Sequence, residues 1–230
     1  MLLPLYPQFS TTTTASSQRV WHDTARKIGL IAPQRLICCY PDETGFVTAV
    51  AKITRDALAD AAARAPGTAP AVIFSAHGLP QKIVDKGDPY VAQVRATVAA
   101  VVAQLGLPDG QWQIAFQSRV GPLQWVGPAT DAVIEQRAKE GRPIVVVPVA
   151  FVSEHSETLV ELDIEYRHLA ETHGCPAYVR APTVATHPDF IQGLAHLVRQ
   201  ALTQGAPLQS GCGRTACQGH SQCALAQAGV

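Results

Sequence analysis

The chain has 230 residues, 47% of them apolar, with 18 basic and 18 acidic side chains and a formal net charge of +0. That size suits one large folded domain, or one domain with part of another, and the balanced charge leaves no global field for nucleic acid or an anionic surface. The longest apolar runs, such as 143–151, are too short to cross a bilayer, and residues 1–6 lack the basic start and long apolar core of a secretion signal. The expected location is therefore cytoplasmic, with peripheral membrane contact left open for a lipid-soluble ligand.

In chain order, residues 2–6 read as a strand that runs into a loop rich in proline and threonine (7–14), and 17–28 as the helix after it. One strand and one helix cannot close a core, so residues 1–35 are expected to be the last unit of a domain whose earlier units are absent. From there short β-branched apolar runs alternate with longer amphipathic stretches, the pattern of parallel strands joined by crossover helices. Strands are expected at 36–39, 71–76, 113–117, 144–149 and 177–180, and helices at 44–64, 88–105, 130–140, 155–172 and 188–203. Asp88-Pro89 supplies an acidic cap and a first-turn proline, and Gly141 and Gly174 fall where helices should stop. The fold class implied is α/β, a Rossmann-like three-layer fold on a parallel sheet. It comprises one complete domain over 36–204, a remnant of another over 1–35, and a Cys-rich irregular tail over 205–230.

Open parallel sheets bind ligands beyond the carboxyl ends of their strands, where loops and helix N-termini converge. The strand at 71–76 delivers His77 there, held by Gly78 and Pro80, and the strand at 113–117 delivers Gln117, Ser118 and Arg119, followed by Trp125. The strand at 144–149 delivers Phe151, Glu154 and His155 and leads into a helix bearing Glu157, Glu161 and Glu165. The i to i+4 spacing stacks those three carboxylates on one face, where each like-charged pair costs a few tenths of a kcal/mol and a cation would relieve them. A solvated acidic face at a helix N-terminus accounts for the same spacing, and His77 alone is equally a satisfied, partly buried imidazole. Together the imidazole and carboxylates suit general acid/base chemistry or transient binding of a divalent cation, and spacing does not separate the two. The glycine-containing loops lack a dinucleotide fingerprint and a phosphate loop, so no nucleotide cofactor is expected.

Several segments resemble the ferrochelatase family in order and spacing. They are Phe74-Ser75-Ala76-His77-Gly78-Leu79-Pro80 with Gly87-Asp88-Pro89-Tyr90, and Gln117-Ser118-Arg119-Val120-Gly121-Pro122 with Trp125-Val126-Gly127-Pro128. Phe151 through Tyr166 and the opening Pro4-Leu5-Tyr6-Pro7-Gln8-Phe9-Ser10 complete the set. The resemblance implies two similar Rossmann-like domains with a porphyrin bound between them and ferrous iron as the inserted substrate, in haem biosynthesis. It places the catalytic pair on His77 and Glu157, with metal handling by His77, Glu157, Glu161 and Glu165. Tyr6, Trp125, Phe151 and His155 would line the macrocycle, which is protoporphyrin IX or coproporphyrin III.

Cys38, Cys39 and Cys175 are scattered, whereas Cys212, Cys217 and Cys223 are gathered near the end. Three clustered thiols suit a soft metal or an iron–sulfur cluster. The resemblance implies a 2Fe–2S cluster, for which the family's fourth ligand position holds Thr11 here, leaving Cys38, Cys39, Cys175 or His220 as substitutes. Two alternatives to an active chelatase stand beside it: a catalytically incomplete fragment that binds metal or porphyrin, and another class II tetrapyrrole chelatase. The ferrochelatase-like motifs at 75–80 and 151–165 argue against the latter.

Overall fold

The computed structural model describes residues 1–211 and 219–227. Its centre is a four-stranded parallel sheet in the order β3-β2-β4-β5, formed by Ala71–His77 (β2), Trp112–Gln117 (β3), Ile144–Pro148 (β4) and Tyr178–Arg180 (β5). All five residues of β4 are buried, as expected for a strand covered on both faces. Alternate residues feed two cores. Val72, Phe74, Val145 and Val147 face helices α2 (Thr44–Arg64), α4 (Tyr90–Leu105) and α7 (Pro188–Gln204), while Ile73, Ile144 and Val146 face α5 (Thr130–Lys139) and α6 (Tyr166–Thr172).

Local sequence sets most of the boundaries. The Glu43 side chain accepts the Phe46 N–H at 2.7 Å and starts α2, and Pro188 occupies the first turn of α7. A short helix, α3 (Gln81–Asp85), precedes α4. Helix α4 begins at Tyr90 with Pro89 as its N-cap residue, rather than at 88 with proline in the first turn, and Asp88, just outside it, accepts the Tyr90 N–H at 2.9 Å. Its other carboxylate oxygen accepts the Ser10 hydroxyl, the Thr11 N–H and the Thr11 hydroxyl at 2.6–3.0 Å, which ties the opening loop to the sheet domain. Gly141 (φ 68) and Gly174 (φ 80) adopt the left-handed conformation just past α5 and α6.

Three expectations are corrected. The strand expected over 2–6 reduces to a single parallel bridge between Leu2 and Leu36. The strand expected over 36–39 is Leu36–Ile37 (β1), and it pairs with Leu208–Gln209 (β6) inside the supposedly irregular tail, outside the four-stranded sheet. Its backbone groups are taken by Pro207, Gln209 and Leu2, donors and acceptors too far away in sequence for a local pattern to reveal. The helix expected over 155–172 is a π-helix over Glu157–Glu165 followed by α6. Helix α1 covers Thr14–Lys27, with only Thr14 and Ala25 buried, and a short α8 spans Ala224–Gln227. No helix among the described residues is long and apolar enough to cross a membrane.

Candidate active site

The strand order puts β3 and β4 on opposite sides of β2, so the chain reverses direction at β2, and the crevice beyond its carboxyl end is the place where such sheets bind ligands. His77 is the last residue of β2. Its Nδ1 lies 3.1 Å from Oε2 of Glu157, the first residue of the π-helix. Nε2 of His155 lies 3.6 Å from the same oxygen. The Phe151 ring packs near both imidazoles, at a right angle to His77 with centroids 6.4 Å apart and tilted against His155 at 4.7 Å. All three side chains of this polar set remain 35–42% exposed, open to a ligand while already in contact with one another.

Two cavities meet at Glu157. One, of about 410 Å³, has a mainly apolar wall that includes Leu5, Tyr6, Leu79, Phe151 and Val152, with His77 and His155 at its polar end. The other, of about 660 Å³, is lined by Trp125, Arg119, Asp131, Glu161 and Glu165 among others. Tyr6 and Trp125, expected on one ligand surface, therefore line different cavities that share the Glu157 carboxylate.

Glu161 behaves differently from its neighbours. Its carboxylate accepts hydrogen bonds from the Ser118 N–H (2.7 Å), the Ser118 hydroxyl (2.5 Å), the Gln117 amide (3.1 Å) and the Tyr166 hydroxyl (2.8 Å). Burial, and then the Glu161 charge, push the Tyr166 hydroxyl far above its ordinary pKa, which keeps it a donor. Four donors nearly exhaust the lone pairs of a carboxylate, so a metal reaching Glu161 has to displace one of them. Glu165 is exposed at the rim of the same cavity.

The π-helix is held from outside. Glu154, just before it, accepts from Arg180 (3.0 Å), the Thr183 N–H (2.9 Å) and the Thr158 hydroxyl (2.7 Å). Arg180 also reaches Asp163 at 3.4 Å, and Arg167 donates to Asp163 at 2.6 Å. The Tyr178 hydroxyl donates to the Leu162 carbonyl. Burial opposes ionisation of Glu154 and Asp163, but these donors and positive charges outweigh it and hold both carboxyls below their usual range. Helices with this wide winding are rare and gather at functional sites. Sequence reasoning gave no role to Gln117, Glu154, Tyr166 or Arg180. The one available signal was that Gln117 and Glu154 stand in the strand-end loops already singled out.

Among the described residues no three or more His, Cys, Asp or Glu side chains are arranged as a ready-made metal site. Of the tail cysteines, Cys212 and Cys217 lie outside the described residues. Cys223 is buried in one apolar cluster with Cys38 and Cys39, whose sulfurs are 3.6 Å apart.

A sequence model of the Ferrochelatase family matches residues 1–202. Among curated proteins, the ferrochelatase of Caulobacter vibrioides is 47% identical over 93% of this chain and 60% of its own length. That of Pelagibacter ubique is 44% identical over 86% and 56%, and that of Rickettsia bellii 46% identical over 86% and 53%. The chain thus spans little more than half the length of these relatives.

Proposed function

The chain belongs to the ferrochelatase family, and from that premise we propose that it carries the catalytic machinery for inserting ferrous iron into a porphyrin, protoporphyrin IX or coproporphyrin III, in haem biosynthesis. The observation that supports this most directly is the 3.1 Å contact between His77 and Glu157 at the junction of an apolar and a polar cavity. Insertion replaces two pyrrole N–H protons by one dication and releases both protons. An imidazole and a carboxylate in contact, both open to the crevice, form an acceptor pair suited to receive them. The apolar wall with Tyr6 and Phe151 takes one part of the flat macrocycle, with Trp125 across Glu157 taking another. Contact energy along the ring is available to distort it so that a pyrrole lone pair turns outward. Ferrous iron enters from the polar cavity, past Glu165 and Glu161, to Glu157 and His77.

Residues 36–204 form the second chelatase domain in this reading, 1–35 the end of the first and 205–230 the tail. Val120 and Leu123, 70% and 47% exposed at the rim of the polar cavity, suit peripheral contact with a membrane that holds a lipid-soluble substrate. The tail cysteines are read as ligands of a 2Fe–2S cluster. Cys223 is buried in one apolar cluster with Cys38 and Cys39, but no three His, Cys, Asp or Glu side chains among the described residues are arranged to hold a metal, and Cys38, Cys39, Cys175 and His220 all stay open as the fourth ligand. Such a cluster would anchor the tail, and no step of metal insertion passes through it.

A second reading, an incomplete fragment that binds porphyrin or metal without turnover, draws on the exposed apolar residues around α1: Val20 at 65%, Ile28 at 71% and Ile31 at 99%. Anaerobic absorbance of porphyrin with ferrous iron separates the two. Conversion of the porphyrin spectrum to that of the iron complex supports the enzyme. Binding without conversion supports the fragment, and neither by a folded chain overturns both.

A further inference from the structure

We propose that Gln117 is a positioning residue for the His77–Glu157 pair, its buried amide holding the first turn of the π-helix where the carboxylate meets the imidazole. What the pair does rests on the ferrochelatase reading above; what Gln117 does rests on geometry alone. Gln117 is the last residue of β3, 1% exposed, and pairs in register with His77 across the sheet. Its backbone carbonyl accepts the Gly78 N–H at 2.8 Å, which fixes the chain as it leaves His77. The packing there is tight: a Cβ on Gly78 would sit 2.8 Å from that carbonyl oxygen and 3.2 Å from the Trp125 ring.

The side chain then reaches the other catalytic element. Its oxygen accepts the Ser75 hydroxyl at 2.8 Å, and Ser75 is in turn 3.0 Å from the Thr130 hydroxyl. With its oxygen so engaged, the amide nitrogen is the end that faces the π-helix, donating to the Glu157 carbonyl and to Oε2 of Glu161, both at 3.1 Å. A flipped amide would set oxygen against two acceptors, so the network admits one orientation. One residue therefore grips the backbone beside His77 and the backbone of Glu157 itself. A buried amide in place of a hydrophobe of equal size is costly unless every bond is made. Here the side chain makes three, to Ser75, which orients the amide, and to Glu157 and Glu161 on the π-helix, and the backbone carbonyl adds the bond to Gly78.

The test uses Gln117→Met, which fills the same volume without the hydrogen bonds, and Ser75→Ala, which frees the amide to turn without touching Glu157. Gln117→Met is expected to lower kcat by roughly 10- to 100-fold, the scale of an ångström of misplacement, with KM for porphyrin within about twofold. Ser75→Ala should act in the same direction, more weakly, and should add nothing to the Met variant. Amide hydrogen exchange is read on the same proteins: exchange over 157–165 should quicken in both variants while that over 90–105 stays unchanged. Unaltered exchange and kcat in Gln117→Met overturn the proposal. A wild-type chain without turnover counts against the enzymatic reading only, because the exchange comparison still decides whether Gln117 holds the π-helix. If the Met variant fails to fold, Ser75→Ala with unaltered exchange overturns it.

Discussion

His77 and Glu157, 80 residues apart in sequence, meet at 3.1 Å because the end of β2 and the first turn of the π-helix open onto the same crevice. An imidazole and a carboxylate joined by one such contact can hand a proton between them and act as one acceptor. Removing either member should therefore cost most of what removing both costs. Glu157→Gln and His77→Ala are each expected to lower kcat by about 100-fold or more, and the double variant scarcely further. Strictly multiplicative losses in that cycle would separate the two residues into independent roles.

Phe151 packs on both imidazoles and on the wall of the apolar cavity. Phe151→Ala removes a flat contact for a flat ligand and should weaken porphyrin binding by about tenfold, on the order of 1 kcal/mol. Quenching of porphyrin fluorescence on titration measures this without turnover. Affinity unchanged by the truncation would move the macrocycle out of this cavity.

Asp88 is fully buried and accepts four hydrogen bonds, three of them from Ser10 and Thr11. Asp88→Ala strands those donors and should destabilise the chain by about 2–4 kcal/mol. For a chain of this size each kcal/mol lowers Tm by roughly 2–4 °C. Asp88→Asn retains an acceptor oxygen and should recover part of the loss in the same melting experiment.

Arg180 is 10% exposed and spans Glu154 and Asp163. Both carboxyls have folded pKa values below those of the unfolded chain, so their contribution to stability is complete above the usual carboxylate range, near pH 4. It is lost as pH falls through the depressed folded values. Arg180→Met should cost about 2 kcal/mol at neutral pH and flatten the acid side of a plot of Tm against pH. An acid limb as steep as wild type would assign it to other carboxylates.

The two levels of information divide along physical lines. Helix α2 falls over the expected 44–64 because its apolar pattern and its Glu43 cap are local, and β2 and β4 are legible as short, mostly apolar buried runs for the same reason. That His77, Phe151, His155 and Glu157 come together was legible because each lies at or beyond the carboxyl end of a strand, where an α/β sheet binds ligands. Hydrophobic period and chain order thus determine the layers and nominate the crevice.

Tertiary structure alone decides the rest. Tyr178, Arg180 and Gln117, side chains on other strands, bond the carbonyls of 157–165 and the carboxylates around it, contacts that no local pattern reveals. The partners of β1 are Leu2 and residues near 208, joined across most of the chain. Glu161 looked like one more acid on a metal-seeking face, yet Ser118 turns into the left-handed region (φ 59) with its N–H and hydroxyl on that carboxylate. Sequence spacing determines which residues share a face. The donors and acceptors that reach that face come from distant strands, and they decide whether a carboxylate is free for a ligand or already engaged.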